Sequence, residues 1–97
     1  MYARITRMTM DPSRYAEAEA RLAGIADRVG ALPGLTMWVT TGDRESGAGY
    51  AVAVYDSKES AEAAAGAAQE LLGGFAEFMT SAPEVVLQEV TQHIFNG

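Results

Sequence analysis

The chain has 97 residues, 48% hydrophobic and 21% charged, which suffices for one core and is too apolar for disorder. Its formal net charge of -6, with scattered Lys and Arg, speaks against a nucleic acid or an anionic membrane as partner. The absence of cysteine excludes a disulfide framework, a thiolate nucleophile and a sulfur-ligated metal.

No Pro-, Gly- or Ser-rich linker divides the chain, so residues 1–97 are expected to form a single domain. The first residues lack the apolar run of a signal peptide, and no stretch approaches the ~20 apolar residues of a membrane span, so a cytoplasmic location is expected. A domain this small buries only about 60–65% of its unfolded surface, so a second subunit over an apolar face would stabilise it.

Residues 2–10 (YARITRMTM) lack glycine and proline and read as a strand with Arg4 on one face and Arg7 on the other. Asp11-Pro12 starts a helix, with Asp11 as N-cap and Pro12 at N1. Tyr15, Ala18, Leu22, Ile25, Ala26, Val29 and Leu32 form its apolar stripe, and Glu17 and Arg21 stand four apart for an ion pair. Leu32-Pro33-Gly34-Leu35 ends it. Residues 35–41 and 48–55 read as two strands joined by the polar loop 42–47. Asp56-Ser57-Lys58-Glu59 has the form of a capping box, with Asp56 as N-cap of an alanine-rich helix that kinks or breaks at Gly73-Gly74. Ala82-Pro83 ends that region, and residues 84–95 (EVVLQEVTQHIF) read as the last strand, Phe95 included.

The order β-α-β-β-α-β is that of the ferredoxin-like α+β fold, a four-stranded antiparallel sheet with two helices on one face. Three of the strands carry apolar side chains on both faces, while the helices can cover only one. The uncovered face calls for a partner, and a second copy of the chain, a homodimer, is the expected one.

No short catalytic motif is present. The single histidine excludes a two-histidine metal site, and Glu89 and His93 lie about 13 Å apart on an extended strand, so no metal is expected. The loop GDRESGAG joins two strands and lacks a G-K-[ST] ending, which reads as a hairpin loop and not as a phosphate cradle.

The L-P-G-L step at Leu32–Leu35, the V-Y-D-S-K-E-S start of the second helix and the closing E-V-V-L-Q-E-V strand resemble the dimeric α+β barrel superfamily, in particular the antibiotic biosynthesis monooxygenase domain. The resemblance implies two sheets packed face to face across a dimer, with a pocket for a small aromatic molecule between each sheet and its own helices. It further implies that some members oxygenate phenolic polyketides or quinol-like compounds with dioxygen and no cofactor. Haem-degrading members use a histidine on the second helix, an asparagine on the first strand and a tryptophan; here the second helix has no histidine and the first strand no asparagine, so haem degradation is not expected.

A cofactor-free oxygenase needs an apolar pocket, a base and a group that holds the substrate anion. His93 is the candidate base, Arg4 or Arg7 the anion stabiliser, and Trp38, Tyr50, Tyr55, Phe75 and Phe78 the pocket walls. The structural alternatives stand beside these roles: an exposed or interfacial histidine, a strand arginine paired with a carboxylate such as Glu89, and aromatics that only fill the core. A non-catalytic ligand-binding or interaction module, or a metal-free cyclase or lyase, would use the same scaffold.

Overall fold

The sheet is built around its first strand. Strand β1 (Tyr2–Thr9) pairs antiparallel with β3 (Ala48–Tyr55) on one side and β4 (Glu84–Glu89) on the other, and β2 (Leu35–Gly42) pairs with β3, giving the order β2-β3-β1-β4. The chain, seen in a computed structural model, is described for residues 1–94. Tyr2 stands opposite Tyr55 and Glu89, and Arg4 opposite Ala53 and Leu87. Strand β4 stops at Glu89 and not at the expected residue 95, because β1 begins at Tyr2 and offers no further backbone to pair; Val90 instead donates its N–H to the Met1 carbonyl. Phe95 lies outside the described residues.

Asp11 caps a 3-10 turn at Pro12–Arg14 by accepting from the Ser13 amide, and the turn runs into helix α1 (Tyr15–Gly30). Ala18, Ile25 and Val29 are the buried residues of α1, four or seven apart as an amphipathic stripe requires. The expected Glu17–Arg21 pair does not form. Glu17 pairs with Arg14 at 2.9 Å, while Arg21 reaches across to the Gly74 carbonyl and to Glu77. Gly34 turns the chain into β2 with φ 78, and a Cβ there would lie 2.5 Å from that of Ser60, so both the backbone and the neighbour demand glycine.

The second helical region differs from its expected form at both ends. Ser57, not Asp56, is the N-cap, its hydroxyl accepting from the Ser60 amide, because the Asp56 backbone is tied to Gly34. The region also splits at Ala64 into α2 (Lys58–Ala63) and α3 (Ala65–Gly73), with a 3-10 turn at Ala76–Phe78. Arg4 Nη2 donates to the Ala61 carbonyl at 3.0 Å beside that split, offering the helix carbonyl a side-chain partner where the ladder changes.

Alternation and register separate the two faces of the sheet. Arg4, Thr6, Met8, Trp38, Ala51, Ala53, Tyr55 and Leu87 share the helix side. Met10, Ala18, Ile25, Val29, Phe75 and Phe78 form the larger buried cluster there, and Tyr55, Ala61 and Ala64 a smaller one. The far side carries Ile5, Arg7, Met37, Val39, Tyr50, Val52 and Val86, with Val39, Tyr50 and Val86 exposed by 43%, 46% and 47%.

Candidate functional site

Between sheet and helices lies a cavity of ≈ 770 Å³. Its floor is the inner face of β1 and β3 with Trp38 of β2, and its roof is the stripe of α1 (Ala18, Leu22, Ile25, Val29) with Leu71, Leu72 and Phe75. Alanine and glycine at positions 49, 51 and 53 of β3 leave the space open: small side chains in the middle of the sheet cannot reach the helices, and Trp38 opposite Ala53 walls one side. The volume and the mainly apolar lining suit one small aromatic molecule.

Three polar residues punctuate the inner floor. Thr6 is 94% covered at a relative exposure of 6%. Arg4 engages only Nη2, with the Ala61 carbonyl, and its Nε is buried without a partner. The Tyr55 side chain is wholly buried and its hydroxyl also lacks a partner. Among the described residues no carboxylate lies within ion-pair distance of Arg4, and the alternative Arg4–Glu89 pair does not form. A buried donor left unsatisfied costs about 1–3 kcal/mol, so two such atoms beside one cavity mark a place where an incoming acceptor is favoured.

The mouth is closed in part by an ion pair. Arg44 of the β2–β3 hairpin meets Glu19 of α1 at 2.7 Å, and its guanidinium lies 5.3 Å from the centre of the Tyr15 ring. The Tyr15 hydroxyl packs so closely on Gly42 that a Cβ there would lie 1.7 Å from it, so any larger residue at position 42 would push Tyr15 off the rim.

Of the residues singled out from the sequence, Arg4, Trp38, Tyr55 and Phe75 meet at the cavity. Tyr50 borders its open end, yet register places the side chain on the far face opposite Arg7. Phe78 is 1% exposed and sits in the core away from the lining, and Arg7 is exposed on the far face. His93 is exposed, beyond the end of β4, and is not among the residues bounding the cavity. Thr6, Tyr15, Glu19 and Arg44 line it without having been singled out. Thr6 was accessible through the period-2 face it shares with Arg4; the mouth residues come from two distant segments and carried no common signal. Among the described residues no group of three metal-ligating side chains occurs, and no helix is long and apolar enough to cross a membrane.

Sequence comparison finds no matching family model and no matching curated protein. Comparison of structures does find likenesses. An antibiotic biosynthesis monooxygenase superposes with a TM-score of 0.77 at 10% identity, over 95% of this chain and 100% of the other. SnoaB, a cofactor-independent oxygenase from Streptomyces nogalater, gives 0.75 at 18% identity over 96% and 95% of the two chains. A protein of unknown function from Nitrosomonas europaea gives 0.78 at 20% identity over 99% and 94%. The chain therefore has the ferredoxin-like α+β fold of the antibiotic biosynthesis monooxygenase proteins.

Proposed function

We propose that this chain is a cofactor-independent monooxygenase of a small aromatic, polyketide or quinol-type compound. What supports the reading is the ≈ 770 Å³ apolar cavity, walled by Trp38 and Phe75, with a single unpaired cation on its floor. For an anthrone-like substrate, ionisation yields an electron-rich anion whose oxygen Arg4 would hold, and that anion is itself the reductant of dioxygen. The reacting methylene loses both hydrogens; one oxygen atom of dioxygen becomes the new carbonyl oxygen and the other leaves as water. The protein's part is to exclude bulk water, orient the ring and favour the anion.

Oxygen uptake with a panel of anthrones and hydroquinones tests this. Uptake by the wild type, reduced roughly tenfold or more in Arg4→Gln, is the expected outcome; no uptake with any member of the panel overturns the reading. His93→Ala decides the base: lost turnover assigns the proton to His93, and unchanged turnover leaves ionisation to solvent with Arg4 as its only protein aid. A non-catalytic binding module is the second reading, favoured by one observation, that His93 stands outside the cavity lining.

The same proposal includes a homodimer with the far face of the sheet as its interface, and the cysteine-free chain suits a cytoplasmic setting. Ile5, Val39, Val52 and Val86 on that face support it, since burying them against an identical face removes apolar area from water at about 25 cal/mol per Å². Sedimentation should show twice the chain mass for the wild type and the single chain mass for Val39→Glu. A wild-type monomer at micromolar concentration would sink the dimer.

A further inference from the structure

The floor of the cavity is chemically lopsided. Of the charged side chains that line it, Glu19 and Arg44 neutralise each other at the mouth, whereas Arg4 meets no counter-charge among the described residues. The chain as a whole carries a net charge of -6, so a cation left without a carboxylate is not for want of acids. Glu89 stands one diagonal step from Arg4 in the β1–β4 ladder and still forms no ion pair with it. The bond from Nη2 to the Ala61 carbonyl accounts for a structural use of one nitrogen and leaves the other two without acceptors among the described residues.

Tyr55 brings a second unsatisfied group to the same region. Its register position opposite Tyr2 puts it one diagonal step from Arg4 on the neighbouring strand, on the same inner face. Both strands lie in the middle of the sheet, and the Tyr55 side chain has no exposed surface at which water could satisfy it. The Arg4 guanidinium and the Tyr55 hydroxyl, on diagonal neighbours that both line one apolar cavity, match an oxyanion better than a neutral carbonyl, because a charged acceptor roughly doubles the strength of each bond.

We infer that the cavity's ligand carries an acidic oxygen, a carboxylate or an ionised phenol or enol attached to an aromatic body, and that Arg4 and Tyr55 together form its oxyanion-binding subsite. The aromatic body lies between Trp38 and Phe75 and the anionic group points toward the α2 side of the sheet. This rests on the reading of the cavity as a small-molecule site, but not on oxygenation.

Titration calorimetry of the full chain with naphthoate and its neutral counterpart naphthamide tests it. The wild type should bind naphthoate at least about tenfold more tightly than naphthamide. Arg4→Gln should abolish that preference and Arg4→Lys keep part of it. Tyr55→Phe, which removes one oxygen and leaves the packing intact, should weaken naphthoate about tenfold and naphthamide little. Equal affinities in the wild type, or a preference that survives both Arg4→Gln and Tyr55→Phe in folded protein, overturn the subsite alone. If neither probe binds, the cavity reading falls and the subsite with it. If naphthoate is preferred as expected but no anthrone or hydroquinone drives oxygen uptake, the subsite stands and only the oxygenase reading falls.

Discussion

Arginine is used in two opposite ways at the two ends of strand β1. At the Met10 end, Arg14 and Arg21 lie 4.5 and 4.7 Å from the centre of the Phe78 ring, and both also pair with Glu77. Each guanidinium there has a carboxylate, a carbonyl and an aromatic face. At the Tyr2 end, Arg4 has one carbonyl, no carboxylate among the described residues and an unsatisfied Nε, and Tyr55, its diagonal neighbour, has an unsatisfied hydroxyl. The first arrangement stitches the turn after α3 onto α1, and its charges are already matched by Glu77. The second leaves binding capacity unspent, and it is the one that faces the cavity.

Breaking the stitched end should have the largest effect. Phe78 is buried to 1% and is the platform under both guanidinium groups, so Phe78→Ala removes packing and both cation–π contacts at once. A loss of about 3–5 kcal/mol in denaturant unfolding is expected. A loss below about 1 kcal/mol would mean that this cluster is decoration and that the comparison between the two ends fails.

Much of this was legible beforehand and some was not, for identifiable reasons. The strands and first helix follow from local signals: Asp11-Pro12 as cap and first turn, Pro33-Gly34 as stop, uninterrupted β-branched and aromatic runs between. Local signals failed where a distant group intervened. Nothing near Ala64 in sequence says that Arg4, 57 residues away from Ala61, will bind at the helix split, and nothing near Glu17 says that Arg21 prefers Glu77. The site was legible by residue type more than by place: Arg4, Trp38, Tyr55 and Phe75 reach the cavity, whereas Phe78, equally aromatic and in the same buried cluster as Phe75, does not border it. Phe75 and Phe78 stand three positions apart, too close in sequence for periodicity to decide which of them faces an opening.

The open end should respond to mutation with the opposite sign. Tyr55→Phe deletes a buried hydroxyl that has no partner, so the ligand-free protein should gain about 1 kcal/mol in unfolding free energy. A loss of similar size would show that the hydroxyl does have a partner and would close the gap between the two ends.

The smallest effect is the most discriminating in sign, because it appears only in acid. The Glu77 carboxyl is held below the usual carboxylate range, chiefly by the hydrogen bond from Arg21 and by its charge, with Arg14 adding to both. A carboxylate with a depressed folded-state pKa stabilises fully above its unfolded value, and that contribution is lost as the pH falls through the folded value. Asp11, lowered by its hydrogen bonds from Ser13, behaves alike and is common to all the variants compared. Glu77→Gln should therefore lie slightly below the wild type at neutral pH and converge on it in acid, with the difference shrinking at high salt because the pair is exposed. Arg4→Gln should leave the acid limb of the wild type unchanged, since among the described residues no carboxylate pairs with Arg4. An acid limb that moved in Arg4→Gln would reveal an acidic partner at the cavity floor and would remove the reason for assigning that cation to a ligand.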